Sequence, residues 1–343
     1  MSALKKLFCI GNPLLDVSAE VDQAFLDKYG VKLNNAILAE DQHLPVFEDL
    51  VANHKVQFIA GGATQNTARV AQWQINVPGA VTYTGCIGKD KFGEKLKEAA
   101  KADGLNTPYY EIEGTETGKC AVLVVGAERS LIAHLSAAEK YKIEWTQTPE
   151  IQGYIAAAEF YYIAGFVLTH SPDSIMHVAK HAHDHNKVFC MNTSAPFLFQ
   201  VPPFLAAFKD AWEYIDILFG NESEAAVMGE AFGIKGSVSD IALAVSQMPK
   251  KNASRPRIVV ITQGADDTIV ATAGSVRTFP VPKVDNIVDT NGAGDAFCGG
   301  FLAMLMEGRS LEEAVKAGNH TAGIVIRRSG CQFADAARYV PSA

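Results

Sequence analysis

Short apolar runs alternate with longer amphipathic stretches along most of the chain, and many of the runs end in glycine or asparagine. Runs of this length are typical of strands buried on both faces, and the stretches between them have helical periodicity. The pattern therefore predicts βαβ units and an α/β fold with a mostly parallel central sheet. The predicted strands are LKKLFCIG (4–11), AVTYTGCIG (80–88), EFYYIAGF (159–166), KVFCMN (187–192), DILFGN (216–221) and RIVVITQG (257–264).

Two regions do not follow the βα repeat. Residues 17–60 contain SAEVDQAFLDKYG and a polar stretch before KVQFIAGG, and residues 119–136 are typical of antiparallel strands joined by a polar turn. We expect them to pair into a small β-rich lid at the edge of the sheet, with Gly61 and Gly62 as a hinge because glycine tolerates large backbone changes. The expected division is a large nucleotide-binding catalytic domain of residues 1–16, 64–118 and 137–343, and a lid domain of residues 17–63 and 119–136.

The carboxyl ends of parallel strands are where ligands bind in such sheets. On this prediction the residues gathered there are Gly11, Asn12, Gly165, Phe166, Asn192, Gly220, Asn221, Gln263 and Gly264.

Composition excludes several classes of partner. The net charge is -8 and basic residues form no long run, so nucleic acid is not expected as a partner. The six cysteines are scattered singly, which is typical of a reducing compartment and not of a disulfide framework or a zinc site. No apolar stretch approaches the roughly 18 residues of a membrane span. We expect a cytoplasmic monomer without a membrane partner.

The segment DTNGAGDAF, residues 289–297, carries the clearest chemical signal. A helix beginning near Gly292 presents unpaired N–H groups from Gly292, Ala293, Gly294 and Asp295 and the positive end of its dipole, which together bind anions. The alternative is that Asp295 only favours the start of a helix. The segment is not a Rossmann fingerprint, because Phe297 stands at the third glycine position, and Asp90 after Gly88-Lys89 rules out a Walker A loop.

Two separated segments then suggest a family. DTNGAGDAFCGGF resembles the carboxy-terminal signature of ribokinase-like (PfkB) carbohydrate and nucleoside kinases, and GGATQNTARVAQW with GCIGKDKFG resembles their amino-terminal signature. The resemblance covers essentially the whole chain. It implies a ribokinase-like three-layer α/β/α sandwich with a small β-rich lid, and transfer of the γ-phosphate of ATP, with Mg²⁺, to the 5′-hydroxyl of adenosine. There are two alternatives. The protein could be a kinase of another nucleoside or of a sugar, or it could be a catalytically silent nucleotide-binding protein.

The resemblance also implies roles for individual residues. Asp295 is the expected general base, beside an anion hole of the amides of Gly292, Ala293, Gly294 and Asp295, with Arg129 in a lid turn closing over the phosphates. Ribose would be held by Asp16, Gly62 and Asn66, and the purine enclosed by Asn12, Leu14, Cys120, Leu131, Ala133 and Phe166. The nucleotide side would be Asn221, Glu224, Thr262, Gly264 and Asn319, with Glu224 ordering Mg²⁺ through water.

Each role has a structural alternative. Asp16 could instead cap the helix that follows it, and Leu14 and Leu131 could be ordinary core residues. Glu224 could simply place negative charge in the first turn of a helix, and Arg129 could be solvated.

Overall fold

The computed structural model describes residues 4–33, 36–126 and 128–342. Its strands, in chain order, are β1 Leu7–Ile10, β2 Leu14–Glu20, β3 Ala36–Leu38, β4 Gln57–Gly61, β5 Val81–Thr84, β6 Cys86–Gly88, β7 Tyr110–Ile112, β8 Lys119–Val125, β9 Glu128–His134, β10 Phe160–Ala164, β11 Val188–Asn192, β12 Ile217–Asn221, β13 Ile258–Gln263, β14 Asp266–Thr272 and β15 Ser275–Phe279.

The helices occupy most of the connections between these strands. They are α1 Gln23–Lys28, α2 Val46–Asn53, α3 Ala63–Ile75, α4 Lys91–Ala102, α5 Ile143–Thr146, α6 Pro149–Ala157, α7 Pro172–Asp184, α8 Phe197–Gln200, α9 Pro202–Trp212, α10 Glu222–Phe232, α11 Val238–Gln247, α12 Ala293–Met306 and α13 Leu311–Val325. Within the described ranges, none of these helices combines the length and the apolar composition that crossing a bilayer requires.

The central sheet has the strand order β15-β14-β13-β12-β11-β10-β1-β5. The strands from β5 to β13 are parallel, and β14 and β15 extend the sheet as antiparallel strands. On β1, Leu7 and Cys9 belong to the apolar cluster that includes α12, while Phe8 and Ile10 belong to the cluster that includes α7. Both faces of the sheet are therefore covered by helices, and the predicted three-layer α/β/α fold is confirmed.

A second sheet has the order β3-β9-β8-β2-β4 and draws its strands from the two regions that break the βα repeat. Its pairing joins segments far apart in sequence, since β2 lies between β4 and β8. The expected boundary after residue 16 falls inside β2, which begins at Leu14.

The apolar run of residues 80–88 forms two strands and not the single strand that we predicted. β5 joins the central sheet, and β6 pairs with β7 outside it. Gly85 separates them, at a point where a Cβ atom would stand 2.4 Å from the carbonyl oxygen of Gly11. Hydrophobicity alone could not reveal this break, because the packing of the turn against the end of β1 causes it.

Candidate active site

The start of α12 has the geometry that an anion site requires. Gly292 is the N-cap, with φ of 78°, and Asp295 lies in the first turn. The amide of Ala293 donates to the carbonyl of Thr290. We predicted that this amide would be unpaired, and that prediction is wrong. Within the described residues, the amides of Gly292, Gly294 and Asp295 have no hydrogen-bond acceptor. Three of the four predicted amides therefore remain free to bind an anion.

A cavity of about 190 Å³ opens beside this helix start. It brings together several predicted site residues, namely Phe166, Asn221, Glu224, Thr262, Gly294 and Asp295. It is also lined by residues to which the sequence analysis assigned no role in the site: Ala63, Asn192, Ser194, Phe219, Gly220, Phe297 and Cys298. Of these, Asn192 and Gly220 were already expected at the ligand-binding edge of the sheet, because they lie at the carboxyl ends of predicted strands.

The Asp295 carboxyl lies at the wall of this cavity and has an altered proton affinity. Burial raises its pKa to about 7, a hydrogen bond from Asn66 Nδ2 to Oδ2 at 3.1 Å lowers the pKa, and the Glu224 carboxylate raises it. A pKa near the working pH suits a group that accepts a proton and then releases it. The helix start therefore combines anion-binding amides with a carboxyl of nearly neutral pKa.

One face of the second sheet carries many of the residues predicted to bind the nucleoside. The registers Asp16↔Cys120, Cys120↔Ala133 and Val122↔Leu131 place these side chains on the same face, because paired residues share a face and alternate residues along a strand return to it. The residues are Leu14, Asp16, Cys120, Leu131 and Ala133. The opposite face is core: Leu15, Val17, Ala121 and Ile132 are fully buried.

Leu38 was not predicted, although it belongs to the same face. It pairs with Ala133 and is 66% exposed. Leu14 and Leu131 are half-buried, so neither is an ordinary core residue.

Asp16 faces the other carboxylates of the site and does not cap a helix. The N-cap of α1 is Asp22, whose side chain accepts from the amide of Phe25. Burial raises the pKa of Asp16 to about 7; the Arg69 charge lowers it, and the charges of Asp289 and Asp295 raise it. The Asp16 carboxyl packs directly on Gly61, where a Cβ would lie 2.4 Å from its oxygen.

The remaining predicted nucleoside contacts follow the ends of β1 and β10. Asn12 Oδ1 is buried, and it has no hydrogen-bond partner in the described part of the chain. Phe166 is half-buried in a 3-10 turn after β10, and its ring centroid lies 6.4 Å from that of Phe197. Phe197, which the sequence analysis missed, is 40% exposed. A polar atom without a partner and two aromatic rings are suited to holding a flat polar base.

Gly62 and Asn66 belong to the helix that carries the amino-terminal signature. Gly62 is the N-cap of α3, and Asn66 closes the first turn, with its amide donating to the Gly62 carbonyl. The hydrogen bond from Asn66 to Asp295 connects this helix to the start of α12 across 229 residues of sequence.

Arg129 lies in β9 and not in the turn that precedes it. Its Nη1 forms an ion pair with Asp289 Oδ2 at 2.5 Å, and both side chains are largely buried. The predicted position in the turn and the alternative of a solvated arginine are therefore both wrong, and the contact of Arg129 with phosphate stays a prediction. The ion pair connects the second sheet to the loop before α12.

Glu224 has a structural role and also faces the cavity. It forms a capping box with Asn221 at the start of α10, and its Oε2 accepts a short hydrogen bond of 2.5 Å from the Thr193 hydroxyl. Burial raises its pKa. The described residues contain no group of three or more His, Cys, Asp or Glu placed to hold a metal ion. Both carboxylate oxygens of Glu224 already accept hydrogen bonds, from Thr193 and from Asn221, so these residues fit Mg²⁺ only through its bound waters, a coordination that this ion commonly adopts.

The residues predicted for the nucleotide are distributed over separate places. Thr262 lines the first cavity, whereas Gly264 is exposed in the turn between β13 and β14 and does not line it. Asn319 lines a second cavity of about 350 Å³, where its Oδ1 accepts from the Thr268 hydroxyl. Lys283, Lys316, His320 and Arg327 line the same cavity, so its wall is rich in groups that carry or can gain positive charge.

The family model described as pfkB family carbohydrate kinase matches residues 23–337. The chain belongs to this family.

Among curated relatives, Adenosine kinase 1 of Arabidopsis thaliana is 53% identical over 335 residues, which cover 95% of each chain. Two solved structures cover 95% of this chain at a TM-score of 0.85. One is Anopheles gambiae adenosine kinase in complex with P1,P4-di(adenosine-5) tetraphosphate, with 41% identity and 96% of that chain covered. The other is Schistosoma mansoni adenosine kinase in complex with adenosine and AMP, with 35% identity and 97% covered.

Proposed function

We propose that this protein is an adenosine kinase, which transfers the γ-phosphate of ATP to the 5′-hydroxyl of adenosine and releases AMP and ADP. The observation that carries the proposal is the start of α12, where free amides and the Asp295 carboxyl share one cavity wall. The names of the similar proteins support the same reaction.

Asp295 is the proposed general base. Its pKa of about 7 allows it to be ionised in a large fraction of molecules at neutral pH and to take the proton of the attacking hydroxyl. The amides of Gly292, Gly294 and Asp295 would receive the charge of the transferred phosphoryl group, as donors that are already in place before the reaction. The proton therefore moves to Asp295 Oδ1 or Oδ2 while the phosphoryl group moves past the helix start.

The second sheet would hold the nucleoside. Asp16 would accept hydrogen bonds from the two ribose hydroxyls, with Gly62 and Asn66 beside it, because a carboxylate suits a vicinal diol. The aliphatic face around Leu131 and the ring of Phe166 would enclose the purine, and Asn12 Oδ1 would accept from its exocyclic amine.

The nucleotide would extend from the first cavity towards the second. Thr262 and Gly264 lie on that path in our proposal, and Asn319 would contact the ATP base from the second cavity. Mg²⁺, when bound, would neutralise phosphate charge, and Glu224 and Asn221 would hold its waters. Arg129 would exchange Asp289 for a phosphate group when ATP binds.

We also propose that residues 17–63 and 119–136 act as a lid that closes over the nucleoside. The Arg129–Asp289 ion pair supports this role, because it joins the second sheet to the loop at α12. Closure would exclude water, so that ATP is transferred to the nucleoside and not hydrolysed. We further propose a cytoplasmic monomer, and the six buried free cysteines agree with a reducing compartment.

The test is ADP release with Mg-ATP and a panel of adenosine, inosine, 2′,3′-dideoxyadenosine, ribose and fructose. Adenosine should give the highest kcat/KM. Asp295→Asn should lower kcat by about 10³-fold, because it removes the base, while adenosine binding measured by calorimetry should change only a few fold. Full activity of that variant would refute the assignment of the base, and a preference for a free sugar would refute the substrate.

A further inference from the structure

Two side chains of α3, one turn apart, form a chain of hydrogen bonds that ends on Asp295. Arg69 Nη1 lies 3.2 Å from Asn66 Oδ1, and Asn66 Nδ2 donates to Asp295 Oδ2 at 3.1 Å. A guanidinium can only donate, so it requires the oxygen of the Asn66 amide and turns the amide nitrogen towards Asp295. A flipped amide would place its N–H groups against Arg69 and its oxygen against the carboxylate, which is unfavourable on both sides.

Arg69 is itself held firmly. Its Nε forms an ion pair with Asp103 at 2.5 Å, and its Nη1 also donates to the carbonyl of Ala60 at 2.5 Å. Its Cζ lies 5.2 Å from the ring centroid of Phe333, and the residue is only 4% exposed. A guanidinium without rotational freedom can fix a neighbouring amide, whereas a mobile one cannot. Ala60 belongs to β4, so the same group also connects the second sheet to α3.

We propose that Arg69 is a positioning residue for phosphoryl transfer, which orients the Asn66 amide so that it donates to the carboxylate of Asp295. The inference rests on the proposed function, because it assumes that Asp295 is the base. A hydrogen bond to the ionised form favours ionisation, so Arg69 acts through Asn66 to keep Asp295 able to accept a proton.

Other groups also affect the ionisation of the Asp295 carboxyl, and their charge states must stay the same when Arg69 is changed. They are Asp16 from β2, Tyr162 from β10, Glu224 from α10, Cys298 on α12 and Cys331 near the carboxyl terminus. Burial raises the pKa of the phenol and of both thiols, so those three groups stay neutral at neutral pH. Asp16 and Glu224 are the two carboxyls in this set. The Arg69 charge lowers the pKa of Asp16, so an Arg69 variant also changes the surroundings of Asp16.

The main variant is Arg69→Met, which keeps the bulk of the side chain and removes its charge and its donors. Without Arg69 the Asn66 amide can rotate away, and the pKa of Asp295 should rise. The acid limb of the kcat–pH profile should therefore move upwards by about one pH unit, and kcat at pH 7 should fall about fivefold, because the ionised fraction of a group with a pKa near 7 falls by that factor. KM for adenosine should change less than kcat.

The matched control is Asp103→Asn. This change removes the charge pair but leaves an oxygen that accepts from Arg69 Nε, so the Arg69–Asn66 contact should persist. The control should lower the midpoint of thermal unfolding without moving the acid limb. An equal kcat loss and pH shift in Arg69→Met and Asp103→Asn would overturn the proposal, because it would show that only packing or stability is involved.

The role of Asn66 is tested by a double-mutant cycle. In an Asn66→Ala background, Arg69→Met should move the acid limb little, because the amide that it orients is gone. An equal shift in both backgrounds would show that Arg69 acts through its own charge, for example through Asp16, and would overturn the proposal. Arg69→Lys keeps a charge and a donor and should recover most of kcat; if Arg69→Met does not fold, Arg69→Gln takes its place in the cycle.

Failure of this inference can be distinguished from failure of the proposed function. If the unmodified protein does not release ADP with adenosine, or if Asp295→Asn keeps its kcat, the proposed function fails first. If both of those results are as expected and Arg69→Met has the pH profile of the unmodified protein, the positioning role alone is wrong.

Discussion

The two sheets of this protein differ in what covers their faces. The central sheet is buried on both, so that Leu7 and Phe8, neighbours on β1, enter different apolar clusters. The second sheet packs one face into the core and leaves the other, with Asp16 and Leu131, half-buried. Helices cover both faces of the parallel part of the first sheet, although the edge strand β15 is largely exposed, whereas one face of the second sheet stays open. In our proposal, the central sheet therefore supplies stability and the second sheet supplies recognition.

The largest expected effect is a difference in the free energy of unfolding between two variants, each with one apolar residue of one sheet replaced by alanine. Ile10→Ala in β1 should lower the free energy of unfolding by about 2–5 kcal/mol, because it leaves a cavity in a fully packed core. Leu131→Ala on the open face should cost less than about 1 kcal/mol and should raise KM for adenosine. Chemical unfolding of both variants measures the loss of stability, and steady-state kinetics measures KM for adenosine. Similar stability losses would mean that the second sheet is as firmly covered as the first.

Asp16 and Asp22 test whether the second sheet recognises ribose. Asp16→Ala should lower kcat/KM for adenosine by about 30- to 100-fold, because hydrogen bonds to a charged acceptor are lost. Asp22→Ala is the matched control, since it removes the true cap of α1 and should cost about 1 kcal/mol of stability without changing kcat/KM. An unchanged preference of Asp16→Ala for adenosine over 2′,3′-dideoxyadenosine would contradict the ribose contact.

The smallest expected effect is a pH dependence of stability from the two carboxyls of the cleft. Burial raises the pKa values of Asp16 and Asp295 to about 7, above the ordinary value of 3.8. Protonation thus favours the folded state: this contribution to stability is complete below pH 4 and is lost as the pH rises through 7. Asp295→Asn should therefore be more stable than the unmodified protein at pH 8 and equal to it at pH 4.

At pH 8, Asp295→Asn should be more stable than the unmodified protein by about 1 kcal/mol. This is less than the full pKa shift of Asp295 corresponds to, because water reaches the cleft. Thermal unfolding at the two pH values measures it, and Asp240→Asn, an exposed helix-start acid whose pKa is lowered, is the matched control with the opposite sign. If Asp295→Asn were less stable than the unmodified protein at pH 8, the ionised Asp295 carboxylate would stabilise the folded state, which contradicts the raised pKa.

Local chemistry explains which site features could be predicted from the sequence. The start of α12 at Gly292 was predictable because two glycines and an acid before an apolar run favour a helix start whatever lies around them. The break at Gly85 and the bond of the Ala293 amide to Thr290 were not, since each depends on a neighbour that folding brings into place. Leu38 and Phe197 were missed for a related reason: an apolar residue has the same sequence signal in a core and in an open cleft.

The sequence by itself determined the α/β class, the alternation of buried strands and helices, and the two segments that carry the proposed chemistry, because periodicity and glycine placement are local properties. Only the tertiary structure decided that Arg129 pairs with Asp289 and that Arg69 reaches Asn66 and Asp103 at once. It also decided that Asn319 lies in a separate cavity from Asp295. These arrangements depend on distances between chain segments up to 229 residues apart, as in the Asn66–Asp295 hydrogen bond, and such distances are set by packing and not by local preference.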